Sequence, residues 1–174
     1  MKHPENMNSM TTQPPYQIVP LVNKSFLQSL FKQEPDENAI IAVNNLLATT
    51  PMEQINRAMI LKIGVEYKVD INKMFPLNMQ EFYAAYLNFI LRKHQVGYED
   101  DNSLQHLQGI LGLSNEKVQE LHERVGKIWY EKALKKCVKN GVFSHGEEKA
   151  MANYARNLRL PEKITSTLRA EVGV

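Results

Sequence analysis

The sequence predicts an all-α fold: one compact multi-helix domain with a degenerate internal helix–turn–helix repeat. Three observations carry that reading. Apolar residues recur at i, i+3, i+4 through successive windows of the chain. Helix start and stop signals separate those windows. The single stretch with strand-like alternation has no comparable neighbour, and a lone strand leaves its ladder unpaired. The chain has 174 residues, 43% of them hydrophobic and 23% charged, an ordinary globular balance that excludes fibrous and wholly disordered classes. At this length one hydrophobic core can hold a domain without covalent staples.

Taken in order, residues 1–20 read as a flexible N-terminal arm and 21–174 as the domain. The arm holds Pro4, Pro14, Pro15 and Pro20 among mostly polar residues, too little apolar surface to offset the entropy of ordering. Phe26, Leu27, Leu30 and Phe31 then share one helix face. Pro35 suits the first turn of a second helix, with Ile40, Val43 and Leu47 as its stripe. Thr50-Pro51-Met52-Glu53 has the form of a capping box opening a third helix. Its end is ambiguous. Across 61–71 the apolar residues alternate (Leu61, Ile63, Val65, Tyr67, Val69, Ile71), so the reading is a helix fraying into a short extended segment. The rival is a strand paired with 16–22 or with a second copy.

After Pro76, Asn78 and Glu81 read as caps of a strongly apolar helix reaching about Val96 and stopped by Gly97. Asp100, Asp101 and Asn102 read as the cap of a short helix carrying Leu104, Leu107, Ile110 and Leu111. Ser114 caps the longest helix, about 115–139. Its stripe reads Val118, Leu121, Val125, Ile128, Trp129, Ala133 and Cys137. Its early glutamates and late lysines complement the helix dipole. Asn140-Gly141 is a stop signal, and two helices follow at about 145–158 and 162–171.

Much chemistry is absent. One cysteine, Cys137, excludes a disulfide scaffold and multi-cysteine zinc modules. The histidines His3, His94, His106, His122 and His145 form no H-E-x-x-H motif, and His122 reads as packed beside the buried stripe. No nucleophile elbow, phosphate loop or dinucleotide fingerprint is present, so no cofactor and no catalytic residue is expected. A hydrolase would need scattered His and Glu residues to converge on a large pocket. No apolar run reaches the length of a membrane span, and MKHPENMNSM has no signal-peptide core, so the expected location is cytoplasmic. Residues 124–169 carry eleven Lys and Arg against four Asp and Glu, whereas 1–123 carry ten against fourteen. The basic half points to an acidic protein partner, with Arg124, Lys127 and Lys135 on the solvent face of the long helix as its candidate contacts. No arginine cluster interleaved with aromatics marks a nucleic-acid face. A homo-oligomer stays open.

Two stretches echo one another: Leu111-Gly112-Leu113-Ser114 before Glu116-Lys117-Val118, and Leu158-Arg159-Leu160-Pro161 before Glu162-Lys163-Ile164. Asn140-Gly141-Val142-Phe143-Ser144-His145-Gly146-Glu147 resembles the D-G-x-φ-S-x-x-E turn of TerB-like (tellurite-resistance-type) helical domains. Leu-Gly-Leu-Ser followed by Leu121-His122-Glu123 and Trp129-Tyr130 is similar to the helical repeats of the large chloroplast inner-envelope translocon subunit. The resemblance spans about 80–170. It implies an all-helical, non-enzymatic interaction or scaffold module in a stress-response or membrane-associated complex. The alternative it implies is a divalent-metal-binding, calcium-type stress protein. Asn140 stands where that motif has Asp, and the carboxylates nearest to a metal site are Glu99, Asp100, Asp101 and Glu147. None has the ligand spacing of a calcium loop, so no metal is expected.

Overall fold

The computed structural model describes residues 15–92, 98–138 and 143–174, and of residues 98 and 99 the backbone alone. Among these residues there are nine α-helices and no strand, packed in one compact arrangement. In order they are α1 (Phe26–Leu30), α2 (Glu37–Thr49), α3 (Arg57–Tyr67), α4 (Ile71–Met74), α5 (Pro76–Arg92), α6 (Tyr98–Leu111), α7 (Asn115–Cys137), α8 (His145–Asn157) and α9 (Glu162–Val172), with a 3-10 turn at Met52–Gln54. α5 packs against α6 and α7, α7 against α8 and α9, and α3 joins α2 to α6. Tyr83 and Met79 on α5, Leu107 and Leu111 on α6, Tyr130 and Leu134 on α7 and Leu168 on α9 are almost fully enclosed. Burying such side chains removes apolar surface from water and is the main favourable term in folding.

Several starts follow the caps read from the sequence. The Ser114 hydroxyl accepts from the Lys117 N–H and opens α7. Ser144 and Glu147 form a reciprocal capping box at α8. Others differ. The Thr50–Glu53 signal opens the 3-10 turn, and α3 starts five residues later, where the Asn56 side chain accepts from the Met59 N–H. α5 begins at Pro76, so Asn78 lies within the helix. Asp100, Asp101 and Asn102 likewise lie inside α6, which is already helical at Tyr98.

Residues 61–67 are helical, which overturns the strand alternative for 61–71 and shortens the extended part. α3 buries Ile60 and Gly64 and leaves Leu61 and Val65 in solvent, so four-residue spacing decides the inward face and the alternation is incidental. Lys68, in the left-handed region at φ 60°, ends the helix, and Asp70 caps α4.

The two echoing turns share a backbone path. Gly112 (φ 67°) and Arg159 (φ 56°) both sit in the left-handed region. In each turn the next N–H, of Leu113 or Leu160, reaches back five residues to the carbonyl of Gln108 or Ala155. The first turn favours glycine: its φ lies in the left-handed region, and a Cβ at 112 would lie 2.1 Å from the Arg57 guanidinium, which would have to move. That guanidinium donates to the Ile110 carbonyl at 3.2 Å. The second turn holds an arginine in a conformation that costs a side-chain-bearing residue about 1–2 kcal/mol. Its guanidinium reaches Asp101 on α6 at 2.9 Å.

The arm expected over residues 1–20 is docked from Tyr16 onward; residues 1–14 lie outside the described residues. Tyr16 is buried against Phe82 and Tyr86, and its hydroxyl donates to the Phe82 carbonyl at 2.8 Å. By contrast α1 buries nothing. The face formed by Phe26, Leu27, Leu30 and Phe31 points to solvent, with Phe26 82% exposed.

Candidate interaction site

Helix α7 carries the partner candidates, and its packing decides which are available. The buried face is Val118, Leu121, His122, Gly126, Tyr130 and Leu134. Of the stripe read from the sequence, Val118 and Leu121 are buried and Val125, Trp129, Ala133 and Cys137 are half-buried against the core; the correction is Ile128, which is 53% exposed. Gly126 lies where the turn after α8 approaches closely. A Cβ there would lie 3.1 Å from Leu160 Cδ2 and 3.3 Å from the Leu158 carbonyl oxygen. Trp129 lies at the edge, its indole N–H donating to Asn88 Oδ1 at 3.0 Å and the Lys132 ammonium 5.2 Å from its ring centroid.

On the outward side, α5 and α7 form an open groove of about 260 Å3. Leu77, Ala84, Leu121, Val125 and Ile128 form its apolar lining, and Gln80, Glu81 and Arg124 its polar lining. Leu77 is 68% exposed. Arg124 and Lys127 are exposed and form no ion pair among the described residues. Lys135 is different: about two turns beyond Lys127, it donates to Glu131 at 2.6 Å. That bond, then the Lys135 charge and more weakly Lys127, hold the Glu131 carboxyl below its usual range. The three basic candidates therefore separate into Arg124 in the groove, Lys127 exposed one turn along the helix, and Lys135 offset by its own neighbour.

Inside, α7 meets α5 through a polar junction. His122 Nε2 lies 3.0 Å from the Tyr83 hydroxyl. Burial, and then the Arg159 charge, push the His122 pKa down to about 4. Burial pushes Tyr83 up to about 12. Both groups are thus neutral near pH 7. The void beside them, bounded by Asp101, Gly126 and Arg159, is about 10 Å3, room for roughly one water and not for a substrate.

The carboxylates nearest to a metal site do not converge. Asp101 is paired with Arg159, and Glu147 accepts from the Ser144 N–H and hydroxyl at 2.9 and 2.7 Å, bonds that lower its pKa. The side chain of Glu99, and residues 140–142 of the TerB-like motif, lie outside the described residues. Among the described residues no three His, Cys, Asp or Glu side chains come together as ligands. No described helix is long and apolar enough to cross a membrane.

A second construction was not legible in the sequence. The amide of Asn38 is bidentate on Val22, accepting from its N–H at 2.7 Å and donating to its carbonyl at 3.0 Å. Asn45 grips Val19 in the same way, at 2.8 Å for both bonds. Asn44 donates to the Gln17 carbonyl at 2.7 Å. Asparagine within a helix reads as solvated surface, so the signal was the seven-residue spacing of 38 and 45 combined with an upstream segment free of helix pattern. Comparison with protein-family models, curated proteins and solved structures finds no match to this chain.

Proposed function

We propose that the protein is a non-enzymatic helical interaction module of TerB-like type, built on a helix–turn–helix unit used twice. Its α5–α7 groove takes an acidic amphipathic helix of a partner protein. The observation that carries the reading is the groove itself. Large apolar side chains, Leu77 and Ile128, stay in solvent beside Ala84 and Val125, with Arg124 and Glu81 in the same lining and the exposed Lys127 one turn along α7 from Arg124; neither cation forms an ion pair among the described residues. A helix laid in such a groove would bury leucine-type anchors at i, i+3, i+4. Its acidic face would meet the two cations, favouring encounter most at low salt. The equivalent turns at 111–114 and 158–161 support the repeat. The resemblance over 80–170 supports the scaffold role. The test is affinity capture from native cells with the natural chain and with Ile128→Asp/Arg124→Glu. A protein retained by the first and lost from the second, with both chains equally folded, supports the reading. Identical capture by both overturns it.

A further inference from the structure

Independently of that groove, we propose that the surface between α2 and α5 is a binding site for extended peptides, recognised through their main chain, and that residues 15–22 are its tethered occupant. The register supports this. Asn38 and Asn45 are seven residues apart on α2, two helical turns or about 10.5 Å of rise. The residues they grip, Val19 and Val22, are three apart, and three residues cover about 10 Å only when the chain is nearly fully extended. Two bidentate amides spaced this way measure an extended backbone. Pro20 falls between the gripped residues, where no N–H is required, and its fixed φ favours an extended path.

The clamps touch main-chain atoms, so they do not read side chains. Ile18 is 69% exposed, and Val19, Leu21 and Val22 also face solvent. Selectivity rests on one place, the slot against Phe82 and Tyr86 that holds Tyr16. An open cleft of about 380 Å3 continues alongside the segment, bounded by Asn44 on α2 and by Ala85, Asn88 and Phe89 on α5. The preferred ligand is an extended peptide with an aromatic anchor three residues before the first gripped position. The linker back to the domain suits release: α1 has no buried residue, and Lys32 after it turns at φ 53°. A tether makes self-binding intramolecular, at an effective concentration of order millimolar, so the natural chain masks the site from outside peptides.

The probe is a fluorescent synthetic peptide of residues 15–24, titrated by anisotropy into the full chain. Tyr16→Ala should weaken the tethered occupant and leave the slot empty. That variant should bind the probe saturably, at least tenfold tighter than the natural chain does. Adding Asn38→Ala and Asn45→Ala should remove at least tenfold of that affinity. Should Tyr16→Ala not fold, amide hydrogen exchange of the natural chain decides. The Val19 and Val22 N–H groups should exchange by local opening, at least a hundredfold faster than the Leu87 N–H in α5. The proposal is overturned if folded Tyr16→Ala binds the probe no better than the natural chain, or if binding survives loss of both asparagines. It is equally overturned if Val19 and Val22 exchange as slowly as Leu87.

Discussion

The two faces of α7 divide one helix between folding and surface. The inner face, from Val118 to Leu134, is committed to contacts: aliphatic side chains in the core, His122 on Tyr83, and Gly126 under the 158–160 turn. Even Tyr130 is engaged at its polar end, where its hydroxyl accepts from Arg169 Nε at 2.9 Å. The outer face carries residues of comparable size that the fold does not enclose, Ile128 above all. The comparison shows that apolar content does not decide which side of a helix goes inward. What the neighbouring elements can approach decides it, and a glycine can outrank an isoleucine.

Breaking the inner face should have the largest effect. Leu134 is fully buried, and Leu134→Ala should cost about 2–5 kcal/mol in urea unfolding. Ile128→Ala, six residues earlier, should change stability by no more than about 0.5 kcal/mol. Gly126→Ala comes next: the new Cβ would lie 3.3 Å from a backbone carbonyl that must give by a few tenths of an ångström, and the helix-propensity gain of about 1 kcal/mol offsets part of that, leaving a net loss of about 1 kcal/mol.

The junction predicts a pH effect of defined sign. His122 has a folded pKa near 4, below the ordinary 6.5, because burial and Arg159 disfavour its charged form. Between these values the unfolded chain binds the proton and the folded chain does not. Stability should therefore fall as pH drops from about 6.5 towards 4 and level off below. His122→Gln should flatten the slope of unfolding free energy against pH in that window. An unchanged slope would show that the ring is not held neutral.

On the outer face, Arg124→Glu/Lys127→Glu should leave the unfolding midpoint almost unchanged, because exposed charges contribute little to stability.

Much of the fold was legible because helix ends carry strong local signals. Ser114 and the Ser144–Glu147 box mark the starts of α7 and α8 where the structure has them. The inward face of α7 was legible at Val118, Leu121 and His122, and not at Gly126, Tyr130 and Leu134. Gly126 scores poorly as a core residue, and the close approach of the 158–160 turn makes it one. The docked segment was hidden for a related reason. Tyr16 sits among prolines and polar residues, and Asn38, Asn44 and Asn45, which hold Val22, Gln17 and Val19, look like surface until the segment lies across them. At the candidate site, Arg124 and Lys127 were legible from charge, but the groove that Arg124 lines was not. It depends on how α5 and α7 pack, and Ile128 was assigned to the wrong side.

The most direct test of the interaction-module reading is a titration of a labelled helical peptide, with leucines at i, i+3, i+4, i+7 and glutamates elsewhere, into the natural chain and into Ile128→Asp/Arg124→Glu/Lys127→Glu. The account predicts saturable binding to the natural chain, tighter at low salt because screening is least there. It predicts at least a tenfold loss in the variant, with the unfolding midpoint preserved. Binding of equal strength to both chains, or no saturable binding to the natural chain at low salt, would contradict it.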